Sequence, residues 1–160
     1  MKRILFGLAL LLAALAPQAQ GKDPAGQAAG ADTTHPESGL KVVALTISEN
    51  GKAHHFRVEV AETDAEQEHG LMFRTKMGPD EGMIFPYAPP KRVAFWMKNT
   101  VIPLDIVFIG PDHRISNVSA NAEPYSLDPR WSDGEVSAVL ELNGGRLAEL
   151  GFTPGAKVEW

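Results

Sequence analysis

The chain of 160 residues contains no cysteine. Disulfide scaffolds, thiol nucleophiles, iron–sulfur clusters and thiolate zinc sites are therefore excluded. The Gly-x-Ser-x-Gly motif of serine hydrolases and the His-Glu-x-x-His motif of zinc proteases are also missing. Basic residues are outnumbered, with 15 Lys and Arg against 20 Asp and Glu and a net charge of −5. This acidic balance argues against the clustered positive surface with which proteins bind nucleic acid.

No apolar run is long enough to span a bilayer, which takes about 18 residues or more. The longest such run covers residues 4–16 and follows Lys2 and Arg3. A basic start, a short apolar run and a small-residue exit are typical of a secretory signal peptide. We therefore predict that residues 1–21 form a signal peptide. The mature protein is then periplasmic or secreted, with no stable membrane anchor; an uncleaved anchor is the alternative.

Residues 22–39 are rich in Ala, Gly, Pro and Thr and contain no large apolar side chain. Such a segment cannot bury enough surface to offset the entropy lost on ordering, so we predict a disordered linker. The remaining residues, 40–160, are numerous enough to bury a core without disulfides. We predict that they form a single compact domain.

Apolar and polar residues alternate through most of this domain, which is typical of strands with one buried face. The Asn50–Gly51 pair between two such segments predicts a tight hairpin. Many short strands separated by turns predict a mainly β fold, a β-sandwich or barrel-like structure, with two short α-helices. The predicted core face carries Phe56, Val58, Val60, Phe95, Met97, Leu104, Ile106, Leu140 and Leu142.

The two helices have recognisable boundaries. Thr63 and Glu66 form a capping-box pattern, which predicts a helix over residues 64–71. Asn143 stands where an N-cap is needed before the second helix, residues 144–150.

Four motifs carry a family resemblance: GLMFR at 70–74, GMIF at 82–85, FWMKNT at 95–100 and PLD at 103–105. In order and spacing they resemble the family called domain of unknown function 192, a group of small, often exported prokaryotic proteins. The resemblance extends from Phe56 to Val158. It implies a compact, mainly β domain with a short helix, and it implies no activity or catalytic residue.

One group of polar residues near these motifs is a candidate ligand site. Lys98, Asn99, Thr100 and Asp105 lie on one loop, and Arg74, at the exit of the first helix, could clamp a carboxylate or phosphate. The alternative is structural, with Asp105 accepting hydrogen bonds from the 98–100 turn and pairing with Arg74 or Lys98.

Three aromatic residues extend this candidate site. Trp96 could stack on a sugar or peptide, or cover a second face of the sheet. Tyr125 and Trp131 lie in a long irregular segment, residues 121–135, which is a candidate lid or binding loop. We therefore predict a non-enzymatic ligand-binding or interaction module of the cell envelope. Its partner would be a small molecule, an envelope carbohydrate or a protein, and no cofactor or metal is implied.

Two other functions remain open. A carbohydrate-directed hydrolase would use Asp105 with a second carboxylate such as Asp128, Asp133 or Glu141, because glycoside hydrolysis uses paired carboxyl groups. A periplasmic copper-handling protein would use His69 with methionines, since thioethers favour Cu(I). The methionines available for it are Met72, Met77, Met83 and Met97.

Overall fold

A computed structural model describes residues 33–160. The predicted signal peptide, residues 1–21, and residues 22–32 of the predicted linker lie outside the described residues. The described chain is mainly β, as predicted, with two short helices and no closed barrel. None of its helices has the length and hydrophobicity to cross a membrane.

The elements follow one another along the chain with short connections. The strands are β1 Thr33–Thr34, β2 Lys41–Glu49, β3 Lys52–Val60, β4 Glu81–Lys91, β5 Ala94–Phe95, β6 Leu104–Ile109, β7 Ile115–Ala122, β8 Arg130–Trp131, β9 Val136–Asn143 and β10 Lys157–Glu159. The helices are α1 Asp64–His69 and α2 Arg146–Leu150.

One mixed sheet contains most of the strands, in the order β1-β2-β3-β4-β9-β6-β7, and β10 also pairs with β2. Among the strands of residues 33–160, only β3 and β4 pair in parallel, with α1 in the connection between them. At one end a bridge between Arg114 and Lys157 links the two sides of the sheet. Strands β5 and β8 form a separate ribbon.

The predicted hairpin is confirmed at Asn50–Gly51, which joins the antiparallel strands β2 and β3. Both residues have positive φ, 51° and 79°, as this tight turn requires.

Strand β4 was missed by the sequence analysis, although it lies at the centre of the sheet. Met83, Ile84 and Phe85 are buried in succession, because both faces of this strand are covered. A continuous apolar run lacks the alternation that indicates a strand with one exposed face. Pro86 and Pro89 further on also disfavour a strand assignment.

The core has two parts, one on each face of the central strands, so the single core face that we predicted is wrong. One cluster contains Phe56, Val58, Val60, Leu140 and Leu142. The other contains Met97, Leu104 and Ile106, with Phe95 only partly buried against it. The 92–103 segment therefore covers a second face of the sheet and does not extend the first.

Regular structure is present before residue 40, within the segment that was predicted to be a disordered linker. Residues 33–39 form strand β1 and a turn, whereas the linker was expected to reach residue 39. A polar network holds this segment: Arg74 donates to Glu59 at 2.9 and 3.1 Å, and its Nε lies 3.1 Å from Glu37. Ser38 donates to the same Glu59 carboxylate. Composition alone could not show that a charged pair would hold a polar segment to the sheet.

Candidate functional site

A cavity of about 310 Å³ lies between α1, strand β4 and residues 94–100. Its volume is at the lower end of the range typical of small-molecule sites. Phe85, Phe95 and Trp96 are among its apolar walls, and Gln67, Glu68, His69, Tyr87, Lys98, Thr100 and Glu141 supply polar groups.

Helix α1 forms one wall of the cavity and is fixed at both ends. The predicted capping box is present, with Glu66 N–H donating to Thr63 Oγ1 and Thr63 N–H donating to the Glu66 carboxylate. The hydrogen bond from Thr63 N–H, followed by one from Glu62 N–H, lowers the pKa of the Glu66 carboxyl. The helix ends at Gly70, where φ is 49° and a Cβ would lie 3.4 Å from the Phe85 ring.

Aromatic side chains form the apolar part of the cavity. The rings of Phe85 and Phe95 meet edge to face at 5.0 Å. Trp96 stands at the rim with 49% of its surface exposed, and the Lys98 ammonium lies 5.2 Å from its ring centre. Tyr87 carries the Lys91 ammonium in the same way at 4.5 Å.

Glu141 is the chemically distinctive group of this cavity. It lies on β9 between Met83 of β4 and Ile106 of β6, and it is only 5% exposed. Within residues 33–160 no hydrogen bond or ion pair to its carboxyl is found. Burial raises the pKa of the Glu141 carboxyl to about 8, so the group is mostly neutral at about pH 7.

The Tyr87 hydroxyl, which lines the same cavity, is also affected by burial. Burial raises the pKa of the Tyr87 hydroxyl, and the Glu141 charge raises it further. Both groups therefore keep their protons at neutral pH.

Sequence reasoning missed the role of Glu141. It named this residue only among the carboxylates available to a hydrolase. In the alternating run 136–142, a glutamate between two leucines indicates a solvent-facing position. The face that it occupies is covered by the 92–103 segment, and a pattern within one strand cannot reveal that cover.

Three of the predicted site residues line the cavity: Trp96, Lys98 and Thr100. Asn99 has the left-handed conformation, with φ of 56°. Its carbonyl accepts a hydrogen bond from Phe73 N–H at 2.9 Å, so this turn is tied to the exit of α1. Asn99 thus shapes the site without lining it.

Arg74 does not lie in the cavity lining. Its guanidinium does clamp carboxylates, but they are those of Glu59 and Glu37 within the chain. Its side chain is buried in this network, which leaves it as a structural group that anchors residues 33–39.

Asp105 is also structural, and the expectation that it bonds the 98–100 turn is wrong. It is fully buried and accepts backbone hydrogen bonds from Asn121 and Gly145 on one oxygen and from Leu147 on the other. Asp105, and not Asn143, therefore caps α2. The Asn143 amide donates instead to the Gly78 carbonyl at 2.8 Å.

Asp105 and Glu141 lie on opposite faces of the sheet. Asp105 is opposite Leu142 in the register, and Glu141 is opposite Ile106. Since neighbouring residues of a strand point to opposite faces, these two carboxyl groups do not form a pair across one cleft. A hydrolase that uses Asp105 with Glu141 therefore has no geometric support.

Tyr125 and Trp131 lie beside the cavity without lining it. Tyr125 is exposed and donates its N–H to the Thr100 carbonyl at 3.2 Å. Trp131 is exposed on β8, where it pairs with Ala94 and carries the Arg92 guanidinium at 5.2 Å from its ring centre. The 121–135 segment thus supports residues 94–100, which form one wall of the cavity.

The methionines do not converge on His69. Met72 lines the cavity with His69, whereas Met83 and Met97 are buried in the second core cluster and Met77 packs against that cluster, partly buried. No group of three or more His, Cys, Asp or Glu suited to a metal occurs in residues 33–160.

Comparison with known proteins identifies the family. The model of domain of unknown function 192, described as "Uncharacterized ACR", matches residues 45–160. The chain belongs to this family, which confirms the resemblance found in its motifs. A comparison with curated proteins gave no match.

Two solved structures share the fold. A protein of unknown function from Novosphingobium aromaticivorans DSM 12444 is 54% identical, with a TM-score of 0.80, and the match covers 82% of this chain and 94% of that one. A proposed transcription regulator from Sinorhizobium meliloti 1021 is 38% identical, with a TM-score of 0.73, over 75% of this chain and 94% of that one.

Proposed function

We propose that this protein is exported and acts in the cell envelope as a non-enzymatic module that binds a small molecule. The observation that supports binding is the cavity, where an aromatic rim surrounds a buried, unpartnered Glu141. A concave site with apolar walls and a few convergent polar groups is the usual form of a ligand site. The proposal of export rests on the signal-peptide pattern of residues 1–21.

A role in transcription, as described for the Sinorhizobium protein, finds little support in this chain. Reading DNA through the major groove takes an inserted helix or a two-stranded ribbon. The helices of residues 33–160 have 6 and 5 residues, each strand of the β5–β8 ribbon has 2, and the chain carries a net charge of −5. We therefore favour a small molecule as the ligand.

The binding proposal can be tested with three probes of different chemistry. Choline, N-acetylglucosamine and glycylglycine represent a cation, a neutral sugar and a zwitterionic peptide. Each is titrated into the protein while tryptophan fluorescence is recorded. We expect a saturable change with at least one probe. It should be lost in Trp96→Leu and kept in the matched control Trp131→Leu, because Trp131 lies outside the cavity.

The absence of a saturable change with all three probes would contradict the proposed function. A change that survives Trp96→Leu but disappears in Trp131→Leu would move the site from the cavity to the β5–β8 ribbon.

A further inference from the structure

A buried carboxyl group without a partner is expensive for a protein to keep. Removal from water disfavours its charged form, and buried charges are normally paired. Nearby in the fold, buried Glu59 has such a partner in Arg74. Within residues 33–160, no comparable cation lies against Glu141. If the site needed only a hydrogen-bonding group for a neutral ligand, an amide or hydroxyl would serve without this cost.

The groups that face Glu141 do not supply the missing charge. Helix α1 contributes Glu68 and His69 to the cavity, β4 contributes the neutral Tyr87, and residues 94–100 contribute Lys98. Lys98 forms no ion pair with Glu141, and its ammonium lies over the Trp96 ring instead.

The walls of the cavity suit a cation as well. Aromatic faces attract ammonium groups within about 6 Å of the ring centre, and clusters of such rings bind quaternary ammonium ligands. Phe85, Tyr87, Phe95 and Trp96 all line the cavity. The Lys91 and Lys98 ammonium groups lie over Tyr87 and Trp96 at 4.5 and 5.2 Å, so a ligand ammonium would take the place of a flexible lysine at these rings.

We propose that the cavity binds its ligand through an ammonium group, which pairs with the Glu141 carboxylate among the aromatic rings. This inference rests on the proposed binding function and specifies the ligand's chemistry. The step is a proton exchange: the O–H bond of the Glu141 carboxyl breaks, its proton passes to water or buffer, and the ligand's ammonium pairs with the carboxylate that remains. A primary amine and a quaternary ammonium can both form this ion pair. The size of the substituents on the nitrogen decides which of the two fits the cavity.

The test compares choline with dimethylbutanol, its uncharged isostere, by titration calorimetry. At about pH 6.5, well below the pKa of Glu141, choline should release about one proton for each molecule bound. The binding enthalpy is measured in phosphate and in MOPS, two buffers with different ionisation enthalpies. The difference between the two binding enthalpies gives the number of protons released. Choline affinity should rise about tenfold from about pH 6 to about pH 7. Dimethylbutanol should bind at least about tenfold more weakly and release no proton.

Two variants test whether Glu141 is the source of the choline affinity and of the proton release. Glu141→Gln should weaken choline binding at least about tenfold and abolish proton release, because the amide cannot pair with a cation. Glu135→Gln, an exposed carboxylate outside the cavity lining, is the matched control and should keep the proton release. If Glu141→Gln fails to fold, Trp96→Leu tests the aromatic wall, with Trp131→Leu as its control. Ethylamine, titrated in the same way, separates a primary from a quaternary ammonium site.

The outcomes distinguish this inference from the binding function. Tight binding of dimethylbutanol or N-acetylglucosamine without proton release would overturn the ammonium proposal and leave the binding function intact. Failure of every probe, ethylamine included, would overturn both. Proton release that persists in Glu141→Gln would assign it to another group and also overturn the ammonium proposal.

Discussion

The buried carboxyl of Glu141 should make the stability of this protein fall as the pH rises. Its pKa in the folded state is about 8, against 4.5 for an ordinary glutamate. The folded state therefore holds a proton that the unfolded state has already released between these two values. Since the unfolded chain binds fewer protons in this range, the free energy of unfolding decreases with pH.

The magnitude follows from the size of the shift. Each pKa unit corresponds to about 1.36 kcal/mol, so Glu141 should lower the free energy of unfolding by about 3 kcal/mol at about pH 7. At about pH 5 the loss should be below about 1 kcal/mol, because this pH lies only about half a unit above the ordinary glutamate pKa of 4.5. Asp80, whose pKa is lowered by hydrogen bonds from His54 and then Arg146, titrates below this window.

Glu141→Gln isolates the effect, because the amide matches the protonated carboxyl in size and stays neutral. Urea unfolding of both proteins, followed by circular dichroism at about pH 5 and about pH 7, should show the variant more stable by about 3 kcal/mol at the higher pH only. Glu68→Gln is the matched control and should follow the native protein. Equal pH dependence in Glu141→Gln and the native protein would refute the buried, unpartnered state of Glu141.

Three further substitutions test the structural groups. Asp105→Asn should lower the free energy of unfolding in urea by about 1–3 kcal/mol, because an amide nitrogen cannot accept from Leu147 N–H. The exposed control Asp128→Asn should cost nearly nothing, and an equally small loss in Asp105→Asn would contradict the capping role. Arg74→Met should lower the free energy of unfolding by about 3–5 kcal/mol, because it leaves Glu59 buried and unpaired. Adding Glu59→Gln should recover part of this stability, and no recovery would argue against the Arg74–Glu59 ion pair. Thr63→Ala should cost about 1 kcal/mol in the same assay through the α1 cap, and an unchanged stability would argue against it.

Local signals in the sequence predicted much of this fold. The Asn50–Gly51 turn and the capping box at Thr63 depend on neighbouring residues only, and both are present. Strand β4 was missed because its cover on both faces comes from distant segments. The cap of α2 was assigned to Asn143, since a cap supplied from 40 residues away by Asp105 leaves no local pattern.

The candidate site was predicted only in part for the same reason. Trp96, Lys98 and Thr100 belong to one motif, and that motif does line the cavity. Arg74 and Asp105 are polar residues near it whose hydrogen-bonding capacity is used within the fold. Glu141 became informative only when its burial and its lack of a partner could be seen together.

The short strand β1 has a consequence for association between molecules. It pairs with Lys41 and Val42 on the same side of β2 that β10 covers further along. A strand edge stripped of its cover offers unpaired backbone groups to another chain. On the far side, the Asn117 amide reaches the Trp131 carbonyl at 3.0 Å and shields part of β7. Proteolysis before Lys41 would therefore remove the cover from this edge of β2 and leave it open to strand addition by a second copy.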